Sequence, residues 1–543
     1  MGGVSEGDRA GRGFEHPAAF WLGTLACSVG VLLHLPMYYS ARDMGYRMAG
    51  MHPDVSMVVG MALILLGLPL VLYGVLPRRS GEIKLLAAGI RVRPLDEAPL
   101  QARHIVLLAV MTIAITIDVM KPATLSFIAP GVAHEYHLLP ADKHSHTPVA
   151  WLPLFGIAGT VLGSWLWGSL GDRIGRRSSI LFAGVLFVST SICGTMPSFG
   201  WNLFMCFLMG IGAGGMLPVA FALLSETMPA RHRGWALVLI GGDVAGAYLL
   251  VSWLSARLTP HYSWRILWLI GLPTGLLLIA LNRWVPESPR YLLSRGRTAE
   301  AEAVMARYGA RAEQIPADDD GPDGAVAADR GSILEIVRRP LIGASTAIAL
   351  LGAGVGLVTF GFQQWVPTNI QHLGYTAVAS DYVVRNAALI GLPLTVLSAW
   401  MYGVWGSRRT IIAFCLATAA ALAGFVVAGN SLAHDRLLLS LLLVVPLSGT
   451  SSLAALAAGY AAEVYPTRIR TRGTGLAAGM TKLGGVLILG VVVARSAVPS
   501  IAQTAVIGAV PLAAAMLAFW RVGAETKGLG LEVITGEEPV AVA

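Results

Sequence analysis

Charged residues are scarce in this sequence of 543 residues, because only 13% of it is Asp, Glu, Lys or Arg. Soluble domains carry about 25%. The apolar stretches between the charges run for about 20 residues, the length that a helix needs to cross a hydrocarbon core of about 30 Å. The shortage of charge therefore excludes an ordinary soluble protein and predicts an all-α integral membrane protein in contact with the lipid bilayer.

Cysteines and catalytic motifs are also few. The four cysteines lie inside apolar stretches and no pair has metal-ligand spacing, so we expect neither a disulfide framework nor a metal site. We interpret the four histidines between positions 134 and 146 as solvated loop residues, with a metal site as the alternative. The sequence has no nucleophile elbow, phosphate-binding Gly-Lys-Ser/Thr loop or HExxH helix. We therefore expect no enzyme, no ATPase and no bound cofactor.

The apolar stretches number fourteen, and we predict fourteen transmembrane helices. Two stretches come first, and a basic linker separates them from the other twelve. The stretches lie at 18–38, 55–76, 104–131, 149–168, 178–196, 201–224, 235–256, 265–285, 341–364, 383–403, 410–429, 436–459, 475–494 and 501–520. This pattern divides the chain into 1–103 with the extra helix pair, a six-helix bundle at 104–285, a central loop at 286–340, a second bundle at 341–520 and a tail at 521–543.

The distribution of Lys and Arg predicts the orientation. Basic residues concentrate in loops that all fall on one side of a fourteen-helix arrangement, whereas the loops at 197–200 and 365–382 contain none. Because cytoplasmic loops carry the excess of Lys and Arg, both termini are predicted to be cytoplasmic, in the cell membrane. The net charge of +8 has the same explanation and does not call for a nucleic-acid partner. We expect a monomer.

The two bundles look duplicated. Three features of the first bundle recur in the second at a nearly constant spacing: Gly175 and Gly406, Glu226 and Glu463, Glu287 and Glu525. Parallel repeats of six helices, with a solute site between them near the bilayer midplane, describe one architecture of secondary transporters. The first two helices have no counterpart in this repeat. We interpret them first as a packing hairpin, with an assembly surface or a partner site as alternatives.

The loop after the second helix of the first bundle holds the clearest motif. It runs from Gly168 through Asp172, Arg173 and Gly175 to Arg176 and Arg177. Glycine permits a tight turn, and an Asp here can accept bonds across the cytoplasmic side. The loop resembles the signature of the major facilitator superfamily, which implies two six-helix bundles and a cytoplasmic latch. In the second copy Gly403 replaces the Asp.

Further motifs resemble the sugar porters and the related proton symporters of metabolites and organic acids. Glu226 to Arg233 follows the fourth core helix, Trp264-Arg265 opens the sixth, and Glu287 to Arg290 follows it. In the second half, Glu463 and Arg470 repeat the motif of Glu226 and Arg233. The resemblance implies that these residues form a cytoplasmic gate.

The seventh core helix carries the strongest indication of a solute site. Gln363-Gln364 resembles the paired glutamines of sugar porters, but Trp365 and the residues after it look more like porters of organic acids. We assign these three residues to solute binding, together with Asn386 at the start of the eighth helix. The alternative is that the glutamines only satisfy backbone groups.

Asp118, Lys121 and Asp243 are charged residues that lie inside predicted membrane helices. Asp118 and Lys121 share one face of a helix because they are three residues apart. Charge within a membrane is costly and points to function by default. We predict that Asp118 and Asp243 carry coupled protons and that Lys121 contacts an anionic solute group. A self-satisfied Asp118–Lys121 pair is the alternative, and Asp243 has the alternative of pairing with Lys482 or Arg385.

These features together predict a secondary active transporter that works by alternating access. The expected activity is symport of a proton with a small polar solute, preferably an organic acid and otherwise a sugar, with the proton gradient as energy source. A proton-driven exporter and a solute sensor that does not transport are the alternatives.

Overall fold

A computed structural model describes residues 16–76, 90–91, 95, 98–139, 144–310, 313–314, 336–338, 341–428, 435–465, 470–495 and 500–525. The chain is helical, with one short antiparallel pair between β1 (Ile90–Arg91) and β2 (Glu313–Gln314). Within the described residues, thirteen helical segments are long and apolar enough to cross a membrane. A further helix begins with the shorter apolar stretch Trp151–Ser164. The predicted all-α membrane fold is confirmed.

The helices up to the central loop follow the predicted order. They are α1 (Pro17–Leu32), α2 (Leu35–Ser40), α3 (Val55–Val75), α4 (Ala102–Glu135), α5 (Trp151–Ile174), α6 (Arg176–Ser189), α7 (Phe199–Ala213), α8 (Met216–Thr227), α9 (Ala230–Gly241), α10 (Val244–Tyr262), α11 (Ile266–Leu269), α12 (Gly271–Leu281), α13 (Pro289–Ser294) and α14 (Thr298–Arg307). The polar helix α14 lies in the predicted central loop, which falls partly outside the described residues, as does the basic linker.

The second half has fewer and longer helices. They are α15 (Ile342–Leu357), α16 (Val366–His372), α17 (Ala377–Trp405), α18 (Ser407–Ala428), α19 (Arg436–Val464), α20 (Arg470–Arg495) and α21 (Ile501–Val522). Side chains of Thr376, Asp435 and Ser500 accept bonds from backbone N–H groups in the first turns of α17, α19 and α21. Such caps satisfy donors that a helix start leaves unpaired.

The extra N-terminal pair forms a tight hairpin. A Cβ atom at Gly30 of α1 would lie 2.6 Å from the carbonyl oxygen of Gly60 in α3, so only glycine permits this approach. Small residues allow membrane helices to pack this closely. The hairpin also packs on α6, and the N–H of Gly50 donates to the carbonyl of Pro197 at 3.0 Å. These contacts support packing as its role.

The chain divides into two compact units that do not coincide with the predicted bundles. The first unit comprises Met1–Lys121, Gly159–Arg233 and Trp268–Gly324, and the second comprises Pro122–Ala158, Gly234–Leu267 and Ala325–Ala543. In the first unit α6 packs against α8 and α12. In the second, α17 packs against α10 and α19, and α15 packs against α20 and α21.

Candidate solute-binding site

The helix that begins with α15 changes its geometry in the middle. A π-helical turn (Val358–Phe362) follows α15, a 3₁₀ turn (Gln363–Trp365) comes next, and α16 continues to His372. Irregular backbone at membrane depth is tolerated where it is buried in protein or lines a cavity. Single π turns occur frequently at functional sites. The break therefore marks the part of the second unit in which a solute site is expected.

Gln363 is buried at the break and bonds to a neighbouring helix. Its Nε2 donates to the carbonyl oxygens of Pro446 and Leu447 in α19, at 2.7 and 3.3 Å. This is the backbone-satisfying role that the sequence left open for the glutamines. A contact between Gln363 and solute stays a prediction.

The next residues form a row of buried polar groups. Four of their atoms have no hydrogen-bond partner in the described part of the chain: Gln364 Nε2, Trp365 Nε1, Thr368 Oγ1 and Asn369 Nδ2. All four side chains are at most 5% exposed. Their spacing places them along one stripe, since residues four apart on a helix lie on one face. We call these four residues the donor row.

A buried donor without a partner costs about 1–3 kcal/mol, and such groups are rare in native proteins. Four of them on two successive helical turns suit acceptor atoms of a bound solute. The sequence predicted Gln364 and Trp365 as members but missed Thr368 and Asn369, because the apolar stretch ends at residue 364. The helical structure nevertheless continues, since Pro367 occupies the first turn of α16, where its missing N–H is tolerated.

A cavity adjoins the Thr368 end of the donor row. Its volume is about 330 Å³, within the range of small-molecule sites. Thr368, Gln371, His372 and Tyr375 form one wall. The other wall comes from the end of α4 and from Val149, with His134 as its polar member. His134 was expected to be a solvated loop residue, but it belongs to α4 and lines this cavity.

Asp118 and Lys121 are both buried, each 5% exposed, in the part of α4 that belongs to the first unit. The Lys121 Nζ donates to the carbonyl of Phe187 at 2.9 Å and to the hydroxyl of Thr190 at 3.0 Å. A Cβ atom at Gly271 would lie 2.5 Å from this Nζ, so α12 also encloses it. The ammonium group therefore has protein partners. The predicted roles of Asp118 and Lys121 in transport stay predictions.

Two further predicted residues lie in α17 and before α10. Asp243 precedes α10 at a helix break, where the hydroxyl of Thr395 donates to the carbonyl of Gly242 at 3.3 Å. Asn386 is exposed, and its Oδ1 accepts bonds from Arg385 at 2.7 and 3.1 Å. Arg385 also stacks on Tyr382, 4.5 Å from the ring centroid. Asn386 is thus held by its neighbour, outside the donor row.

The predicted gate residues of the first unit form a cluster around Gly175. This glycine has φ +93°, and a Cβ atom there would lie 2.5 Å from Oε2 of Glu287. The Glu287 Oε1 accepts bonds from the backbone N–H groups of Arg176 at 2.7 Å and Arg177 at 3.3 Å. Arg176 also forms an ion pair with Glu226 at 3.3 Å. Burial raises the pKa of the Glu287 carboxyl.

The carbonyl of Arg173 is part of the same cluster. It accepts bonds from the Tyr291 hydroxyl at 3.1 Å and from Arg295 Nη2 at 2.7 Å. These contacts fix the loop between α5 and α6 to α13. The remaining gate residues of the prediction have side chains outside the described part of the structure: Gly168, Asp172, Arg233, Arg290 and Arg470.

The second unit repeats this cluster. Gly406 has φ +102°, and a Cβ atom there would lie 2.5 Å from Oε1 of Glu525. That Oε1 accepts bonds from the backbone N–H and the hydroxyl of Ser407 at 2.7 and 3.0 Å. Glu463 accepts a bond from the Tyr402 hydroxyl at 2.6 Å. The duplication that the sequence predicts is therefore present in the contacts of Gly406 and Glu525.

Comparisons with known proteins agree with this architecture. The family profile described as Major Facilitator Superfamily matches residues 106–489. The niacin transporter NiaP of Acinetobacter baylyi is 28% identical over 73% of this chain and 88% of its own length. The 4-hydroxybenzoate transporter PcaK of Pseudomonas putida is 28% identical over 68% of this chain and 81% of its own.

A solved structure of the proton:xylose symporter XylE shares the fold. Its TM-score is 0.61 at 19% identity, and the match covers 80% of this chain and 98% of that chain. An inward-open structure of XylE from E. coli matches with a TM-score of 0.60. The resemblance and the non-enzymatic class expected from the sequence are confirmed: this chain belongs to the major facilitator superfamily and is a multi-pass membrane transporter of small metabolites.

Proposed function

We propose that the protein is a secondary active transporter that carries a small aromatic carboxylate together with a proton by alternating access. The observation that carries this proposal is the donor row of Gln364, Trp365, Thr368 and Asn369. Relatives named as transporters of niacin and of 4-hydroxybenzoate, both aromatic carboxylates, support the same solute class.

The chemistry of the donor row favours a carboxylate over a sugar. Three of its four unpartnered atoms are nitrogens that only donate hydrogen bonds. A carboxylate offers only acceptor oxygens, and hydrogen bonds to a charged group are about twice as strong as neutral ones. Sugar hydroxyls can also accept these bonds, but they are neutral acceptors, and their own O–H groups would find only the Thr368 hydroxyl as an acceptor among these four atoms. The ring of Tyr375, which lines the adjoining cavity, supplies flat apolar surface for an aromatic solute.

Proton coupling rests on Asp118, with Asp243 as a second candidate. Asp118 is buried within a membrane helix, where an ionised carboxylate is costly. Uptake of an anion with one proton is electroneutral, so a carboxyl that is neutral during passage fits this solute class. The positive-inside distribution of Lys and Arg supports cytoplasmic termini in the cell membrane. That the protein acts as a monomer is part of the same proposal.

The variant Trp365→Phe tests the donor row. It removes the indole N–H and keeps an aromatic side chain with a smaller ring. Purified protein in liposomes would be assayed for the KM of niacin and 4-hydroxybenzoate. Loss of a hydrogen bond to a charged acceptor costs about 1.5–3 kcal/mol, so we expect KM to rise by about 10- to 100-fold.

The control is Trp520→Phe, at a site that is 61% exposed and therefore faces lipid or solvent. It should leave KM unchanged. Thermal stability provides a second readout, which reports the cavity that the smaller ring leaves at this fully buried site. An unchanged KM in Trp365→Phe, with active protein, would remove the donor row from the binding site.

A further inference from the structure

Asp381 is a buried carboxyl that the sequence analysis did not single out. It lies in the second turn of α17, two residues before the predicted apolar stretch, and is 5% exposed. Ser255 of α10 faces it and is 1% exposed, and the two helices pack against each other. The Ser255 hydroxyl also contacts that of Thr259 at 3.3 Å. The Ser255 hydroxyl is thus the polar partner of this carboxyl, and Thr259 in turn contacts Ser255.

The charged groups on α17 and α10 are engaged elsewhere. Arg385, one turn along α17, bonds to Asn386 and stacks on Tyr382. On α10, Arg257 is exposed, and the hydroxyl of Tyr248 lies 3.3 Å from that of Ser126. Asp243 precedes α10, about 18 Å along the helix from Ser255 at a rise of about 1.5 Å per residue.

The charged groups of α16, α19 and α4 are likewise exposed or in contact with other residues. On α16, His372 is exposed and lines the cavity beside the donor row. At the start of α19, Arg436 stacks over the ring of Tyr375 at 5.4 Å. The Glu135 carboxylate at the end of α4 is paired with Arg265 at 2.7 Å. Among the residues that the structure describes, none forms an ion pair with Asp381.

Asp381 is also coupled to the donor row through its chain neighbour. The hydroxyl of Ser380 donates to the carbonyl of Pro367 at 3.0 Å, and Pro367 immediately precedes Thr368. The start of α17 therefore holds α16. A movement between α10 and α17 at this level is transmitted directly to the residues proposed to bind solute.

We propose that Asp381 is a proton-binding site of the transporter: the neutral carboxyl allows the outer ends of α10 and α17 to close on each other, and the ionised carboxylate opens them. A carboxylate without a counter-ion is stable only in contact with water, whereas the neutral acid needs one hydroxyl partner. A proton from the outer solution thereby favours closure around the donor row. This inference rests on the proposed function for its role in transport, but not for its test.

The test measures opening without any solute. The four native cysteines are buried, so Ser252→Cys supplies a reporter thiol. Ser252 is 0% exposed and lies one turn from Ser255 on the same side of α10. Proteoliposomes with a fixed internal pH would be labelled from outside with an impermeant maleimide between about pH 5 and 9. Each rate would be divided by that of the SDS-denatured protein at the same pH, which removes the titration of the thiol itself.

We expect the normalised labelling of the reporter to increase at least about fivefold with external pH. In Asp381→Asn it should stay at the low-pH level throughout. The control Asp435→Asn changes an exposed capping residue in the same way, and Asn also caps helices, so its pH dependence should match the reporter alone.

Ser255→Ala serves as a second variant if Asp381→Asn does not fold. It removes the hydroxyl partner that the neutral acid needs in the closed state, so labelling at low pH should rise above that of the reporter alone and depend less on pH. Labelling that does not depend on pH, or that keeps its pH dependence in both variants, would overturn the assignment. Failure of every aromatic carboxylate to be transported would refute the proposed function and leave this result standing.

Discussion

The ion pair of Glu135 and Arg265 is deeply buried, and its loss should be costly. Arg265 Nη2 lies 2.7 Å from Glu135 Oε1, and the side chains are 0% and 5% exposed. The carboxylate also accepts the indole N–H of Trp264 at 2.8 Å, and the guanidinium donates to the hydroxyl of Tyr136 at 2.8 Å. Glu135→Gln would leave a buried guanidinium whose charge is balanced by no carboxylate of this cluster.

Removing one partner of a buried pair costs about 3–5 kcal/mol. Because glutamine keeps one acceptor oxygen, we expect the lower end of this range. Thermal unfolding of the purified protein in detergent should show a decrease in apparent melting temperature of about 5 °C or more.

The matched control is Glu300→Gln in α14. Glu300 pairs with Arg297 at 2.6 Å, but the two side chains are 29% and 39% exposed. Exposed helix pairs contribute about 0.5 kcal/mol or less, so this variant should melt within about 1 °C of wild type. Equal shifts in the two variants would refute the reasoning that burial determines the cost.

Three further predictions follow from the gate clusters and the helix break. Gly406→Ala should destabilise the protein by about 1–3 kcal/mol, because φ is +102° and the Cβ would contact Glu525, whereas Gly479→Ala meets no atom within 4 Å and should not. Thermal unfolding measures both. Burial raises the pKa of Glu287 above its ordinary 4.5, so its stabilising contribution is complete below about pH 4.5 and is lost as pH rises through the folded value. Unfolding temperatures of Glu287→Gln should therefore fall less than those of wild type as pH rises above 4.5. Gln363→Leu should cost about 1–3 kcal/mol in the same assay, since it removes the donor to the α19 carbonyls.

The sequence alone was sufficient to predict the membrane-spanning helices. Each backbone group in a membrane helix must be satisfied within the helix, so hydropathy predicts the spans well. The correspondence of Gly406 and Glu525 with Gly175 and Glu287 was also visible in the sequence, at offsets of 231 and 238 residues. Their role became clear only from the structure. It shows a positive φ at the glycine and a carboxylate that accepts a hydrogen bond from the next backbone N–H.

The sequence predicted only two of the four residues of the donor row, and it did not predict that Asp381 is buried. No proline or glycine pattern distinguishes the π turn at Val358–Phe362 from ordinary helix. The partner of Gln363 lies in α19, far along the chain, which local periodicity does not reveal. Asp381 precedes the apolar stretch, so only the packing of α10 on α17 shows that it is buried.

The most direct test of proton-coupled transport is gradient-driven uptake of niacin and 4-hydroxybenzoate into proteoliposomes. A pH difference of about two units can concentrate a solute carried with one proton by up to about 100-fold. We predict accumulation well above equilibrium that a protonophore abolishes. Asp118→Asn should retain exchange of solute across the membrane but lose accumulation. Uptake that stops at equal concentrations whatever the gradient, or accumulation that persists in Asp118→Asn, would contradict the assignment of proton symport to this carboxyl.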